Sequence, residues 1–243
     1  AYDFTLAKLV DASGVDIILV GDSASNVVAG HETTLPITLD QMIYHASSVI
    51  RGVDRALVVV DLPFGTYQSN SKIALESAIK IMKQSGAHSV KLEGGSEVRE
   101  SMERIIQAGI PVMGHIGYTP QYKKKFKVEG KTRHEAQKLL KEAKLIEDSG
   151  AFSIILECLS PNSAKLITKK LNIPTIGIGS SLHCDGQILV TDDMLGLSGF
   201  YPKFVKRYSN LSRIIEKAVK KYSKDVKLNK FPLKENFLNG YRN

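Results

Sequence analysis

Four short apolar runs, each ending on an acidic residue, constrain this chain more than any other feature. They span 15–22, 56–61, 89–93 and 152–157, and they close on Asp22, Asp61, Glu93 and Glu157. Runs this short and this rich in Val, Ile and Leu read as buried parallel strands. In parallel α/β folds the loops at the carboxyl ends of the strands carry the chemistry. Acids at four such ends therefore predict an acidic mouth. A like-charged pair about 4 Å apart, at an effective dielectric of about 20, costs about 4 kcal/mol. Something positive must sit among these acids, and a divalent cation is the simplest candidate.

Strand-like and helix-like segments alternate along the whole chain. Helical patterns are expected near 4–13, 38–51 (with Thr38 as N-cap), 71–85 (with Ser71 as a cap), 96–108, 133–149 and 161–171. Further strands are expected at 110–114, 174–179 and 187–191. Ala1-Tyr2-Asp3 reads as the carboxyl end of one more strand, its first part lying upstream of the sequence. Eight βα units make a (β/α)8 TIM barrel, and 243 residues is a length typical of one. The rival is an open doubly wound sheet. That fold usually carries an early Gly-rich phosphate loop, and neither G-x-G-x-x-G nor a Walker A motif occurs here. The expectation is one barrel domain over 1–243, with a truncated first strand and a basic helical tail over about 203–243.

The formal net charge of +8 belongs to that tail. Residues 203–243 hold 12 Lys and Arg against 3 Asp and Glu, leaving 21 basic and 22 acidic residues in the remainder. The run Ile214–Tyr222 looks like an amphipathic helix with a solvated lysine face. It carries no nucleic-acid motif or interleaved aromatic patch, so no nucleic-acid partner is expected. No apolar run approaches the ~18 residues of a membrane span, so no membrane partner is expected either. Two cysteines, Cys158 and Cys184, are too few for a disulfide scaffold or a thiolate zinc site, and both are expected reduced and buried. A cytoplasmic enzyme fits best.

The residues at the strand ends carry the chemistry. Asp22 follows Gly21, and a residue without a side chain there lets backbone and substrate approach closely. Asp61 precedes Leu62-Pro63, where proline forbids helix continuation and leaves the carboxylate at the strand tip. Glu93 precedes Gly94-Gly95. Any one of these acids alone would pass as a cap or a turn residue; together they point to a metal site. All the candidate ligands are oxygens, which suits Mg²⁺ and not zinc. Magnesium is usually completed by water and substrate oxygens, and a chelating 2-oxo acid would serve. Lys91 lies two residues before Glu93 on the same strand face. It either balances the acids or binds a substrate carboxylate or carbonyl; a Schiff-base role would be redundant beside a metal. His115 ends another strand and is a structural hydrogen-bonder or a catalyst. Glu157, set apart from the other acids, is a candidate general base.

These residues sit inside motifs that run in order along nearly the whole chain. They are Val20-Gly21-Asp22-Ser23, Gly30-His31-Glu32-Thr33-Thr34-Leu35-Pro36-Ile37-Thr38, Asp61-Leu62-Pro63-Phe64 and Lys91-Leu92-Glu93-Gly94-Gly95. Then follow Gly114-His115-Ile116-Gly117-Tyr118-Thr119-Pro120-Gln121, Leu156-Glu157-Cys158, Ile176-Gly177-Ile178-Gly179 and Cys184-Asp185-Gly186-Gln187. In this ordered set the chain closely resembles the ketopantoate hydroxymethyltransferase family.

The resemblance implies a barrel of the phosphoenolpyruvate/pyruvate-binding superfamily, Mg²⁺-dependent and homo-oligomeric, often decameric. It implies metal positions at Asp22, Asp61 and Glu93, a 2-oxo acid site at Asp22, Ser23, Asp61 and Lys91, a proton acceptor at Glu157 and an active-site histidine at His115. It also implies 3-methyl-2-oxobutanoate as substrate and 5,10-methylenetetrahydrofolate as cosubstrate, with ketopantoate and tetrahydrofolate as products, in pantothenate synthesis. One departure stands out. Family members carry extra residues, including glycines, where Gln121 here runs almost directly into 122–128. The connection is either short or incomplete in this sequence. The rival enzyme is a Mg²⁺-dependent 2-oxo acid lyase or mutase of the same superfamily. A rival from another class is an oligomeric scaffold, which gains nothing from clustered acids.

Overall fold

The computed structural model describes residues 1–123 and 125–237. The chain divides into two compact units, Ala1–Val190 and Thr191–Asn243. The first opens with helix α1 (Phe4–Ala12), whose N-cap Asp3 accepts from Leu6 N–H. Among the described residues seven parallel strands follow: β1 (Ile17–Val20), β2 (Leu57–Asp61), β3 (Ser89–Lys91), β4 (Val112–Gly117), β5 (Ser153–Glu157), β6 (Thr175–Ile178) and β7 (Gly186–Gln187). The helices between them are α2 (Ala24–Val27), α3 (Leu39–Ile50), α4 (Ser71–Ser85), α5 (Arg99–Gln107), α6 (Arg133–Asp148) and α7 (Pro161–Lys170).

The strands lie in one sheet in sequence order, β1 to β7, every pair parallel. Right-handed crossovers in a single direction put the helices that connect consecutive strands on the same face, so the sheet curls around the other one. This is the α/β barrel architecture expected, not the reordered sheet of a doubly wound fold.

Alternation along the strands sorts the side chains into two layers. Val58, Val60, Val90, Val112, Ile154 and Leu156 face the helices as part of the main core. Val59, Met113, Ile155 and Ile176 face inward as a separate apolar cluster, with half-buried Ile17, Leu19 and Leu57 against it. Burying such a side chain stabilises the fold by roughly 1.5–3 kcal/mol. The inner layer is the floor on which the strand-tip residues stand.

Helix starts follow local chemistry. Thr38 caps α3 and Thr132 caps α6, each in a capping box with Gln41 or Glu135. Four expectations are corrected. Asn70, not Ser71, caps α4: its side chain accepts from Ile73 N–H and Ser71 is already helical. Over 96–108 the chain makes a 3₁₀ turn, Ser96–Val98, before α5 begins. The strand expected at 187–191 is only Gly186–Gln187, because Thr191 opens helix α8 (Thr191–Leu195), with Asp192 and Asp193 in the first turn where the helix dipole favours acids. Ala1-Tyr2-Asp3 is not a strand, although the Ala1 amino group donates to the Leu19 carbonyl at 3.1 Å beside β1.

The second unit contains α8, α9 (Leu211–Lys227) and a 3₁₀ turn at Lys234–Asn236. The amphipathic run expected at 214–222 lies inside α9, none of whose residues is buried. Among the described residues no helix is long and apolar enough to cross a membrane. Cys158 and Cys184 are free thiols, both buried as expected.

Candidate active site

Register gathers the strand-tip residues. Asp61 sits beside Lys91, Lys91 beside Met113, and Gly117 beside Glu157. Asp61, Lys91, Glu93, His115 and Glu157 all follow the inward parity of Val59, Met113 and Ile155. Asp22 joins them from the turn after β1, where its N–H donates to Asp61 Oδ2 at 3.0 Å. Asp22, Asp61, Lys91, Glu93 and His115 are buried, each at most 4% exposed, and Glu157 is half-buried. Full burial of this many ionisable groups is justified only by pairing or by function.

Two glycines make the approach possible. A Cβ on Gly21 would lie 2.8 Å from Ser23 Oγ and 3.5 Å from Asp61 Oδ2. Gly117 has φ +99°, and a Cβ there would meet the Glu157 carbonyl at 2.1 Å.

Lys91 Nζ lies 2.8 Å from Asp61 Oδ1. The contact is a buried ion pair, the lysine ammonium neutralising the Asp61 carboxylate. Burial alone would lower the lysine's pKa. The charges of Asp61, Glu93 and Asp22 outweigh it and hold the ammonium above its usual range. Lys91 is thus a fixed cation, not the neutral amine that a Schiff base needs.

Burial first, and then repulsion from Asp61 and Glu93, push the Asp22 carboxyl up to about 8. Glu93 is lowered: burial opposes ionisation, but His115, Lys91 and the Gln121 N–H together prevail.

His115 links the lysine to the acids. Its Nδ1 lies 3.3 Å from Lys91 Nζ and 3.6 Å from Glu93 Oε1, and its Nε2 lies 3.2 Å from Glu157 Oε2 without hydrogen-bond alignment. Burial and the Lys91 charge push the imidazole down, but the Glu157 and Glu93 carboxylates raise it to about 9. Only the neutral ring with hydrogen on Nε2 can accept from Lys91 while facing Glu157. The carboxylates favour the charged ring, and the length of the Lys91 contact agrees with them. Ser23 is half-buried, with its Oγ 2.8 Å from the Tyr2 hydroxyl.

The donor set suits a hard cation. Asp22, Asp61 and Glu93 are three buried carboxylates that feel one another's charge, and no soft ligand is among them. Among the described residues no three His, Cys, Asp or Glu side chains form a ready-made cage.

Two residues of the site escaped the sequence reading. Gln121 donates from Nε2 to Asp22 Oδ2 and from its backbone N–H to Glu93 Oε2. Tyr67, fully buried, bonds through its hydroxyl to Gln121 Oε1 at 2.7 Å. Neither belongs to a strand-tip pattern, and an amide or a phenol carries no charge to draw the eye.

A parallel barrel with buried acids, a lysine and a histidine at the carboxyl ends of its strands defines a class of enzyme that works on small anionic substrates at a barrel mouth. Comparison with known proteins narrows it. The ketopantoate hydroxymethyltransferase family profile matches residues 1–234. A 3-methyl-2-oxobutanoate hydroxymethyltransferase of Cytophaga hutchinsonii is 59% identical over 236 residues, covering 96% of this chain and 87% of the relative. The chain belongs to the ketopantoate hydroxymethyltransferase family.

Solved structures of the same fold are more distant in sequence. A phosphonopyruvate hydrolase in complex with oxalate and Mg²⁺ aligns with a TM-score of 0.59 at 12% identity, over 99% of this chain and 85% of the other. A 2,3-dimethylmalate lyase of the PEP mutase/isocitrate lyase superfamily aligns with a TM-score of 0.56 at 13% identity, over 100% and 83%. These two likenesses concern the fold.

Proposed function

We propose that this chain transfers a hydroxymethyl group from 5,10-methylenetetrahydrofolate to 3-methyl-2-oxobutanoate, giving ketopantoate and tetrahydrofolate. The observation that carries this reading is the buried cluster of Asp22, Asp61, Lys91, Glu93, His115 and Glu157, set in a chain 59% identical to a relative bearing that activity in its name.

Asp22, Asp61 and Glu93 would hold Mg²⁺, directly or through water, as the oxygen-only set of buried carboxylates supports. When bound, the ion polarises the 2-oxo group and acidifies the hydrogen on C3. Lys91, a fixed cation, faces the substrate's carboxylate or its carbonyl oxygen and favours the negative charge that develops there. Ser23 offers a hydroxyl to the same substrate. Glu157, the most accessible acid of the group, takes the C3 proton, and His115 orients it from 3.2 Å. C3 then bonds to the one-carbon unit of the cosubstrate and water supplies its hydroxyl, while both bonds from that carbon to the cosubstrate's nitrogens break; the proton taken from C3 and the one released by the water end on those two nitrogens, giving tetrahydrofolate.

The same reading places the protein in pantothenate synthesis, in the cytoplasm, and as a homo-oligomer, decameric by family resemblance. It keeps the chain as one barrel domain whose basic tail serves packing or subunit contact. The lyase or mutase alternative draws only on a fold shared at low identity, 15% with a lyase/mutase and 13% with a 2,3-dimethylmalate lyase. Incubation with 3-methyl-2-oxobutanoate, methylenetetrahydrofolate and Mg²⁺ should yield ketopantoate. Cleavage of a 2-oxo acid with Mg²⁺ alone, and no ketopantoate, would overturn the reading.

A further inference from the structure

Gln121 is a buried amide with its hydrogen-bonding capacity filled. Its Nε2 donates to Asp22 Oδ2 at 2.9 Å and to the Leu62 carbonyl at 3.0 Å. Its Oε1 accepts from the Tyr67 hydroxyl at 2.7 Å and from Gln68 Nε2 at 2.9 Å. The Leu62 carbonyl can only accept, which settles which end of the amide is nitrogen. The backbone N–H of Gln121 donates to Glu93 Oε2 at 3.0 Å. The Tyr67 hydroxyl is in turn tied to the Glu93 backbone, 3.2 Å from its nitrogen and 3.3 Å from its carbonyl oxygen.

One residue of the loop after β4 thus reaches the acid behind β1, the acid behind β3 and the backbone behind β2. A side chain that only filled space here would not need to be an amide, since burying one costs free energy unless every polar atom is matched. The matching is complete, and its centre is a pair of carboxylates assigned to a cation.

We propose that Gln121 is the positioning residue of this site: its amide holds Asp22, and its N–H holds Glu93, in the orientation from which the two carboxylates take up a divalent cation. The inference rests on the metal reading above. Carboxylates already fixed by donors need not be ordered when the ion arrives, which is how residues outside the ligand set tune affinity.

Mn²⁺ binding to the full metal-free chain, read from the electron paramagnetic resonance of free Mn²⁺, tests it, with thermal unfolding measured alongside. Gln121→Met should lower Mn²⁺ affinity roughly 10–100-fold at temperatures where the metal-free variant is folded. In an Asp22→Ala background the same substitution should cost less than about twofold, because the carboxylate it holds has gone. Gln121→Asn, one methylene too short to span Asp22 and Tyr67, carries the same expectation if the Met variant does not fold. Affinity within about twofold of wild type in a folded variant, or equal losses in both backgrounds, would overturn the proposal. Ketopantoate formation by wild type together with unchanged Mn²⁺ affinity in the variants would overturn it alone. A wild-type chain that binds no Mn²⁺ would remove the metal reading with it.

Discussion

The barrel mouth and helix α9 treat charge in opposite ways. Helix α9 lies in the segment that carries the chain's net positive charge, and it buries none of its residues. Its Lys220–Glu216 pair lies in solvent, 74% and 60% exposed. The mouth holds few charges but hides them: Lys91 and Asp61 pair at 4% exposure each. An exposed pair is screened and worth little. A buried cluster is costly unless its geometry serves something. Net charge therefore misleads here, and the informative charges are those the fold removes from water.

The same substitution in the two regions should break that contrast most sharply. Lys91→Met strands the Asp61, Glu93 and Asp22 carboxylates, and removing one partner of a buried pair costs about 3–5 kcal/mol. Lys220→Met should leave the melting temperature unchanged within error. Equal effects in thermal unfolding would erase the distinction.

Asp61→Asn comes next. It removes the Lys91 partner and a proposed metal oxygen together, so affinities for Mg²⁺ and 3-methyl-2-oxobutanoate should both fall at least roughly tenfold in titration calorimetry. A loss of one without the other would separate the metal from the substrate.

A smaller effect concerns pH. The Asp22 carboxyl is raised from 3.8 to about 8 by burial and by its acidic neighbours. The folded metal-free chain therefore keeps a proton that the unfolded chain has released. The stability this lends is full below about 4 and is lost as pH rises through about 8. A divalent cation replaces that proton. The rise in melting temperature given by Mg²⁺ should grow between about pH 6 and pH 9; a shift that shrinks over that range would contradict the assignment. The smallest expected effect is in the tail: no tight, salt-sensitive binding of DNA or RNA at physiological ionic strength.

How far each region was legible follows from the same contrast. The βα rhythm and the strand-tip acids announce themselves, because strands buried on both faces are short apolar runs and an acid, unremarkable at the end of one, recurs at the ends of four. Register does not announce itself: nothing in the sequence says that Asp61 lies beside Lys91, which is set by the stagger of β2 against β3. Gln121 was visible as part of a motif yet carried no assigned role, since its importance lies in five hydrogen bonds to residues 28 to 99 positions away. The Asn70 cap was missed because two polar residues adjoin and only backbone geometry chooses between them. The 187–191 strand was overcalled because its apolar residues outweighed the acids that start α8.

The most direct test of the central claim follows the hydrogen on C3 of 3-methyl-2-oxobutanoate by NMR in D₂O, with Mg²⁺ and without the folate cosubstrate. Wild type should exchange it, and Glu157→Gln, which keeps the shape and removes the acceptor, should exchange it roughly 10²–10⁴-fold more slowly while Mg²⁺ and substrate affinity change little. Exchange at the wild-type rate in Glu157→Gln would contradict Glu157 as the base and turn attention to His115, 3.2 Å away.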